Sequence, residues 1–426
     1  MRFKTWAWSL TLASAALLAA CGGGSDSSTA QMRLLNASIG YAALDMAVDG
    51  ATVNSGVAYA GVGSYADVNT SATGTEVQSN SVGSTLVSST PTLASGSHYA
   101  MIAYGSAGSV KTTLLQEDQD APDSGKTKLL VLNLAPDAGA MDVYVTGADE
   151  SLDSATSVAS SIAAGSGSGY VTLNSGTFRV RLTAASSKTD LRLDIPSITL
   201  PSAGVSTLIL TGTNGGVLVN GIQLIQQGAT TNYPNSTSRA RLVAAVGGSA
   251  LVSGSIGQAS LMPTSVAPTI GDYTTVAAGA ASLSVYVNGQ LMNFTNPTLT
   301  AGNDYTLMVW GTAASPQLAV LTDDNRLPTS STTSAKIRLV NGVASASTGL
   351  TLNVDYSALA SNVVAGTSST PQTTPASTSS LLTVTSPSST APVYSLSDLQ
   401  IQAGYVYTVF VMGDGTSMVG SLRRER

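Results

Sequence analysis

The chain has 426 residues, 43% of them hydrophobic and only 10% charged, with a net charge of −6, one histidine and one cysteine. One cysteine excludes an internal disulfide, and one histidine excludes a multi-histidine metal cage, an HExxH motif and any triad that needs a second histidine. The acidic balance, with its sole cationic cluster at Arg423-Arg424-Glu425-Arg426, argues against nucleic acid as a partner.

In chain order, the first element is a leader. Two cations, Arg2 and Lys4, precede an apolar stretch from Trp6 to Ala20 that ends in Leu18-Ala19-Ala20-Cys21, the lipobox pattern of a bacterial signal peptide. Residues 1–20 are read as that signal peptide and Cys21 as the acylated first residue, a palmitate-type anchor that makes the membrane a partner. By resemblance to sorted bacterial lipoproteins, Gly22 after the cysteine implies the outer membrane. Residues 21–30 follow as a flexible polar tether, and no later apolar run reaches the length needed to span a bilayer.

Four blocks of about 100 residues come next, the usual size of one sandwich of roughly seven strands. They are assigned as β-sandwich domains over 31–121, 122–235, 236–328 and 329–426. Each opens with a short strand: Arg33-Leu-Leu-Asn36, Leu130-Val-Leu-Asn133, Arg241-Leu-Val-Ala244 and Arg338-Leu-Val-Asn341. Asn36 with Asp45, and Asn133 with Asp142, recur at one separation and are therefore expected to be turn and strand-edge fixtures that bond local backbone rather than paired catalytic groups.

Each block closes with a turn glycine that leads into a short apolar strand, as in Leu93-Ala-Ser-Gly96-Ser-His-Tyr99, Leu299-Thr-Ala-Gly302-Asn-Asp-Tyr305 and Ile401-Gln-Ala-Gly404-Tyr-Val-Tyr407. This is the tyrosine-corner pattern of immunoglobulin-like sandwiches, so Tyr99, Tyr305 and Tyr407 are expected to bond back to nearby backbone. In the second block Ser206 stands in the tyrosine's place, and that corner must be held otherwise. If the tyrosines point inward, alternation sends Ile102 and Tyr104, Met308 and Trp310, and Phe410 and Met412 to the opposite face. The favoured explanation of a second apolar face is packing between domains in two related pairs. The other is an exposed patch for a protein partner or a glycan, with Trp310 as its stacking platform.

The junctions after the first and third blocks are acidic: Glu117, Asp118, Asp120 and Asp123, then Asp323 and Asp324. Calcium, which takes several hard oxygens, is the one cofactor considered there, although the spacing matches no EF-hand and short acidic linkers form Asx turns without a metal. The stretch Thr230 to Asn235 is taken as a further linker, and the Ser/Thr/Pro-rich stretches 365–380 and 385–392 as long mobile loops. His98 is expected to be a partly exposed turn residue, and Gly165-Ser-Gly-Ser-Gly169 sits in a low-complexity loop rather than a nucleophile elbow.

The run Arg33-Leu-Leu-Asn36-Ala-Ser38 with Leu44-Asp45 and Val48-Asp49-Gly50, and its partner Leu132-Asn133-Leu-Ala-Pro-Asp137 with Asp142-Val-Tyr-Val145, resemble the DUF4397 repeat of bacterial envelope proteins. The resemblance extends over residues 31–230 and over 336–345 with 399–413, and it is weak over 245–290. It implies tandem β domains behind a lipoprotein leader and carries no assigned activity. The expectation is therefore an all-β chain of four tandem immunoglobulin-like β-sandwich domains, lipid-anchored, without enzymatic activity, acting as a structural or adhesive module. The alternatives are a carbohydrate-binding or sugar-processing envelope protein, or a periplasm-facing scaffold that binds another envelope protein.

Overall fold

The computed structural model describes residues 28–71, 74–344 and 349–426. Cys21, the leader 1–20 and most of the tether 21–30 lie outside the described residues. The described residues form strands, turns and bends with no helix, and so contain no helix long and apolar enough to cross a membrane. The chain is all-β, built as four immunoglobulin-like β-sandwiches in tandem.

The first sandwich has eight strands, one more than the size of the block suggests: β1 (Thr29–Ser38), β2 (Ala43–Val48), β3 (Ala51–Ala58), β4 (Ala66–Asn69), β5 (Thr75–Ser79), β6 (Thr85–Ser89), β7 (His98–Ser106) and β8 (Ser109–Gln116). They form two sheets in the orders β4-β1-β7-β8 and β3-β2-β5-β6. In the first sheet β1 and β7 run parallel, with Met32 opposite Tyr99. The other three copies keep this register: Leu129 lies opposite Ser206, Ala240 opposite Tyr305 and Ile337 opposite Tyr407. Ser206 therefore does occupy the tyrosine's place.

Alternation on these central strands fills each core. Met32 and Leu34 on β1, with Tyr99, Met101 and Ala103 on β7, point between the sheets and meet Leu44 and Met46 of β2. The next sandwiches bury Leu129 with Leu208, Leu242 with Leu307, and Leu339 with Val409 in the same way. Burial of such side chains is the main force holding each sandwich together, on the order of 1.5–3 kcal/mol for each large one.

The three tyrosine corners form as expected. The backbone N–H of Ala94 donates to the Tyr99 phenol oxygen at 3.0 Å, that of Thr300 to Tyr305 at 2.9 Å and that of Gln402 to Tyr407 at 3.2 Å. The turn glycines Gly96, Gly302 and Gly404 take φ near +75°, a region where a side chain would be strained. In the second sandwich Gln223 does the tyrosine's work from the neighbouring strand. Its amide donates to the Thr199 carbonyl at 2.9 Å, and the Tyr233 phenol donates to its oxygen at 3.2 Å. Tyr305→Phe should lower the unfolding free energy by about 1 kcal/mol, the net worth of one such bond, as read from urea denaturation.

The repeated asparagines close the turn after the first strand. Asn36 Nδ2 donates to the carbonyls of Tyr41 and Val57 at 3.2 and 3.1 Å, and Asn133 Nδ2 to those of Gly139 and Ile162 at 2.8 and 2.9 Å. Asp45 accepts from the Gly56 N–H at 2.6 Å, and Asp142 from those of Ser161 and Ser186 at 2.7 and 2.9 Å. All four are backbone fixtures.

Two expectations are corrected. Residues 365–380 are not a loop: Thr367–Ser368 and Gln372–Pro375 pair with Ser334–Val343 as the counterpart of β4, and Ser377–Thr385 is the counterpart of β5. Threonine is β-branched and suits a pleated surface, Thr374 is buried, and Pro375 is tolerated because its strand lies at the sheet edge. Thr230–Tyr233 is likewise not a linker but an edge strand, with Gly221 opposite Tyr233.

Candidate functional site

The outer faces of the central strands are covered, and they are covered in pairs. Between the first and second sandwiches, Leu35, Ala100 and Ile102 meet Leu134, Ile209 and Ile222 in one apolar cluster, with Tyr104 at its margin. Between the third and fourth, Val243, Ala245 and Met308 meet Val340, Phe410 and Met412. The approach is so close that a Cβ on Gly342 would come within 2.6 Å of Ala245 Cβ and 2.9 Å of Met308 Sδ.

Trp310 belongs to this seam and is not an open stacking platform. It is half-buried beside Ile270, Ala319 and Leu321, and a Cβ on Gly366 of the fourth sandwich would lie 2.5 Å from its ring. Trp310→Ala should therefore lower thermal stability, by about 2 kcal/mol for a ring only partly removed from water. A calorimetric scan checks this.

At one end of each seam sits a buried ionic cluster built from repeated positions. Arg33, Arg241 and Arg338 lie opposite the residue that follows the corner tyrosine, namely Ala100, Thr306 and Thr408. Glu117 and Glu425 sit just past the last strand, where their N–H groups bond the carbonyls of His98 and Val406, and Asp323 pairs with Asp304 at the same place. In the second sandwich Leu130 and Gln226 occupy these two places, so arginine and acid are replaced together.

In the first sandwich the pair is internal. Arg33 forks Glu117 through Nε at 2.8 Å and Nη2 at 2.6 Å, and the Tyr65 phenol donates to Glu117 at 2.6 Å beneath the guanidinium. The second sandwich closes over it: Arg33 Nη1 donates to the Gly228 carbonyl at 2.8 Å, and the Gln227 N–H donates to Glu117 at 2.9 Å. Between the third and fourth sandwiches the pairs are exchanged. Arg241 of the third forks Glu425 of the fourth at 2.8 and 2.7 Å, while Arg338 of the fourth lies 2.7 Å from Asp323 of the third.

Thr306 and Tyr273 donate their hydroxyls to Asp323, and the Arg241 guanidinium lies over the rings of Tyr273 and Phe410. Burial alone would push the Asp323 carboxyl up, but Arg338 and Arg241 hold it below the usual carboxylate value. Burial beside these carboxylates pushes the phenols of Tyr65 and Tyr273 above their ordinary value.

Of the six acidic residues at the junctions, Glu117, Asp118, Asp323 and Asp324 have carboxylates engaged by other side chains. Glu117 and Asp323 belong to the arginine clusters. Asp118 accepts from the His98 backbone N–H at 2.8 Å and pairs with His98 Nδ1 at 2.8 Å, at a partly exposed site beside Tyr65. Asp324 pairs with Arg326 at 2.9 Å and Lys336 at 3.0 Å. Asp120 and Asp123 contribute backbone carbonyls, to Lys128 Nζ at 2.7 Å and the Lys126 N–H at 3.0 Å. Among the described residues no three His, Cys, Asp or Glu side chains converge as a metal-holding group.

Asp324 also sets an acid limit on stability. Burial would raise its carboxyl, but hydrogen bonds from Arg326 and the charges of Lys336 and Arg326 hold it down to about 2, against an ordinary 3.8. Lys336 also moves below its usual value, because burial of its ammonium outweighs the pull of Asp324. The acid-side effect is therefore taken from Asp324, which has two cationic partners. A depressed carboxyl adds stability that is complete above the unfolded value and lost as pH falls toward the folded one. Stability should thus drop between pH 3.8 and about 2, and Asp324→Asn should shrink that drop, as measured by thermal melts at stepped pH.

The model of the family described as "Domain of unknown function (DUF4397)" matches residues 30–144 and 238–348. The chain belongs to this family. The match includes 245–290, where the opening motif has decayed, but it leaves out 145–237, most of the second sandwich, and ends before most of the fourth. No curated protein matches the sequence. Among solved structures, the Bacillus anthracis TIE protein is similar at 12% identity over 87% of this chain and 66% of its own, with a TM-score of 0.15. This chain thus spans just under two thirds of that protein. Two chains each named "putative cell adhesion protein" also match. The one from Bacteroides uniformis is 12% identical over 47% of this chain and 98% of its own, with a TM-score of 0.19. The one from Parabacteroides distasonis is 11% identical over 71% and 99%, with a TM-score of 0.18.

The arginine clusters are the part of the site that sequence reasoning missed. Their signal was present in the repeat: an arginine opens three blocks and an acid stands at or just past the end of the last strand of the same three.

Proposed function

We propose that the protein is a lipid-anchored, non-catalytic module of the bacterial cell envelope, held at the outer membrane through Cys21 and acting as a structural or adhesive body. The observation that carries this reading is the way its charged groups are used. Arg33, Arg241, Arg338, Glu117 and Asp323 are buried, the Glu425 side chain is nearly so, and these groups are joined to one another across or beside the seams. Such groups lock sandwiches together and stiffen a body that a lipid tether would carry. The lipobox and the Gly/Ser-rich stretch after it support the anchor, and the net charge of −6 supports a surface that avoids nucleic acid.

Protease shaving of intact cells, with an antibody to the folded protein and a lysed control, tests the reading. Cleavage on intact cells places the sandwiches outside and favours adhesion. Protection there with cleavage after lysis favours a periplasmic scaffold instead, and release of a Cys21→Ser variant from membranes checks the anchor.

A further inference from the structure

Three of the sandwiches and the segment after the third border one crevice of about 300 Å³, a small volume for a ligand site. The hairpin between β7 and β8 supplies one wall with Tyr104 and Lys111, the second sandwich adds Pro136 and Asp137, and the segment after the third adds Arg326. Lys336 and Thr373 of the fourth sandwich complete it.

Two strong donors here have no use inside the protein. Among the described residues, neither the Lys111 ammonium nor the Tyr104 phenol has a hydrogen-bond or ionic partner. Arg326 engages Asp324 through Nε and Nη2 only, and its side chain is 34% exposed. Asp137 accepts the Leu327 N–H at 2.7 Å through one oxygen, which leaves the other to accept. Thr329, Ser331 and Thr373 line the same space with Pro136 and Pro328, as does Asp324, whose carboxylate is paired with Arg326 and Lys336.

The geometry points to a binding site for a small carboxylated polyol, a sugar acid. Lys111 and the free edge of Arg326 match its carboxylate, while Tyr104, Asp137 and the wall hydroxyls match vicinal hydroxyl groups. The proline faces match its C–H face. The Leu327 N–H bond to Asp137 joins the two sides of the crevice without a ligand, and the site does not depend on the surface role proposed above.

Calorimetric titration of the purified full-length protein with glucuronate and galacturonate tests this, with glucose and acetate as controls. Uronate should bind while glucose and acetate do not. Lys111→Met should weaken binding by at least about tenfold, as for loss of a charge-assisted contact, and Tyr104→Phe by a smaller factor. Lys111 is exposed and unpartnered, so the melting temperature of Lys111→Met should match that of the parent and rule out unfolding as the cause. No binding of either uronate, equal binding of acetate, or unchanged affinity in Lys111→Met would overturn the proposal. Tighter binding of an oligouronate than of the single sugar identifies a polysaccharide end as the source, and equal binding identifies the free sugar acid.

Discussion

Asp323→Asn should lower the unfolding free energy by about 3–5 kcal/mol, the usual cost of stripping one partner from a buried ion pair. The Asp323 side chain has no exposure and that of Arg338 only 3%, and they meet at 2.7 Å. Asparagine keeps the shape and an oxygen for the hydroxyls of Thr306 and Tyr273, but it leaves the Arg338 guanidinium buried opposite a neutral group. Arg241 loses less, because it retains its fork to Glu425. The second sandwich indicates how the penalty is avoided, since Leu130 and Gln226 replace arginine and acid together. The double variant Asp323→Gln with Arg338→Leu should therefore cost clearly less than Asp323→Asn alone. Urea denaturation measures both. A loss under about 1 kcal/mol for the single change, the range of an exposed pair, would sink the idea that these charges lock the seam.

What the sequence made legible was whatever repeats locally. The glycine-to-tyrosine phrase predicted the corners because turn and phenol are only a few residues apart, and the asparagine fixtures were legible for the same reason. The second apolar face of the central strands was legible from alternation, and domain pairing followed from the need to cover it. The strands within 365–380 were not, because a Ser/Thr/Pro-rich composition reads as a mobile loop while the pairing of Gln372–Pro375 with Ser334–Val343 is set by tertiary contact. The arginine clusters stayed hidden because Arg33 and Glu117 lie 84 positions apart and Arg241 and Glu425 lie 184 apart, and the exchange of partners between the third and fourth sandwiches exists only in three dimensions. The crevice was invisible for the same reason, being assembled from segments that share no motif.

Phe410→Ala should cost about 3–5 kcal/mol, the range for deleting a fully buried ring, and the loss should fall on the join between the third and fourth sandwiches. Phe410 has no exposure, yet it points away from its own core: Val409 and Val411 face inward, while Phe410 meets Val243, Met308 and Val340. Arg241 lies 5.0 Å from the ring centre, so the truncation also takes a face from the guanidinium that reaches across to Glu425. Removing the ring leaves each sandwich's own core intact and weakens only what couples them. Calorimetry should then show the transition of this pair broaden or split, whereas Leu339→Ala, in the core of the fourth sandwich, should lower that sandwich's own stability by about 2–5 kcal/mol. If Phe410→Ala lowered stability without any loss of cooperativity, the two sandwiches would be one folding unit and not two locked bodies. That outcome would require the stiffness of the module to come from shared folding instead of docking.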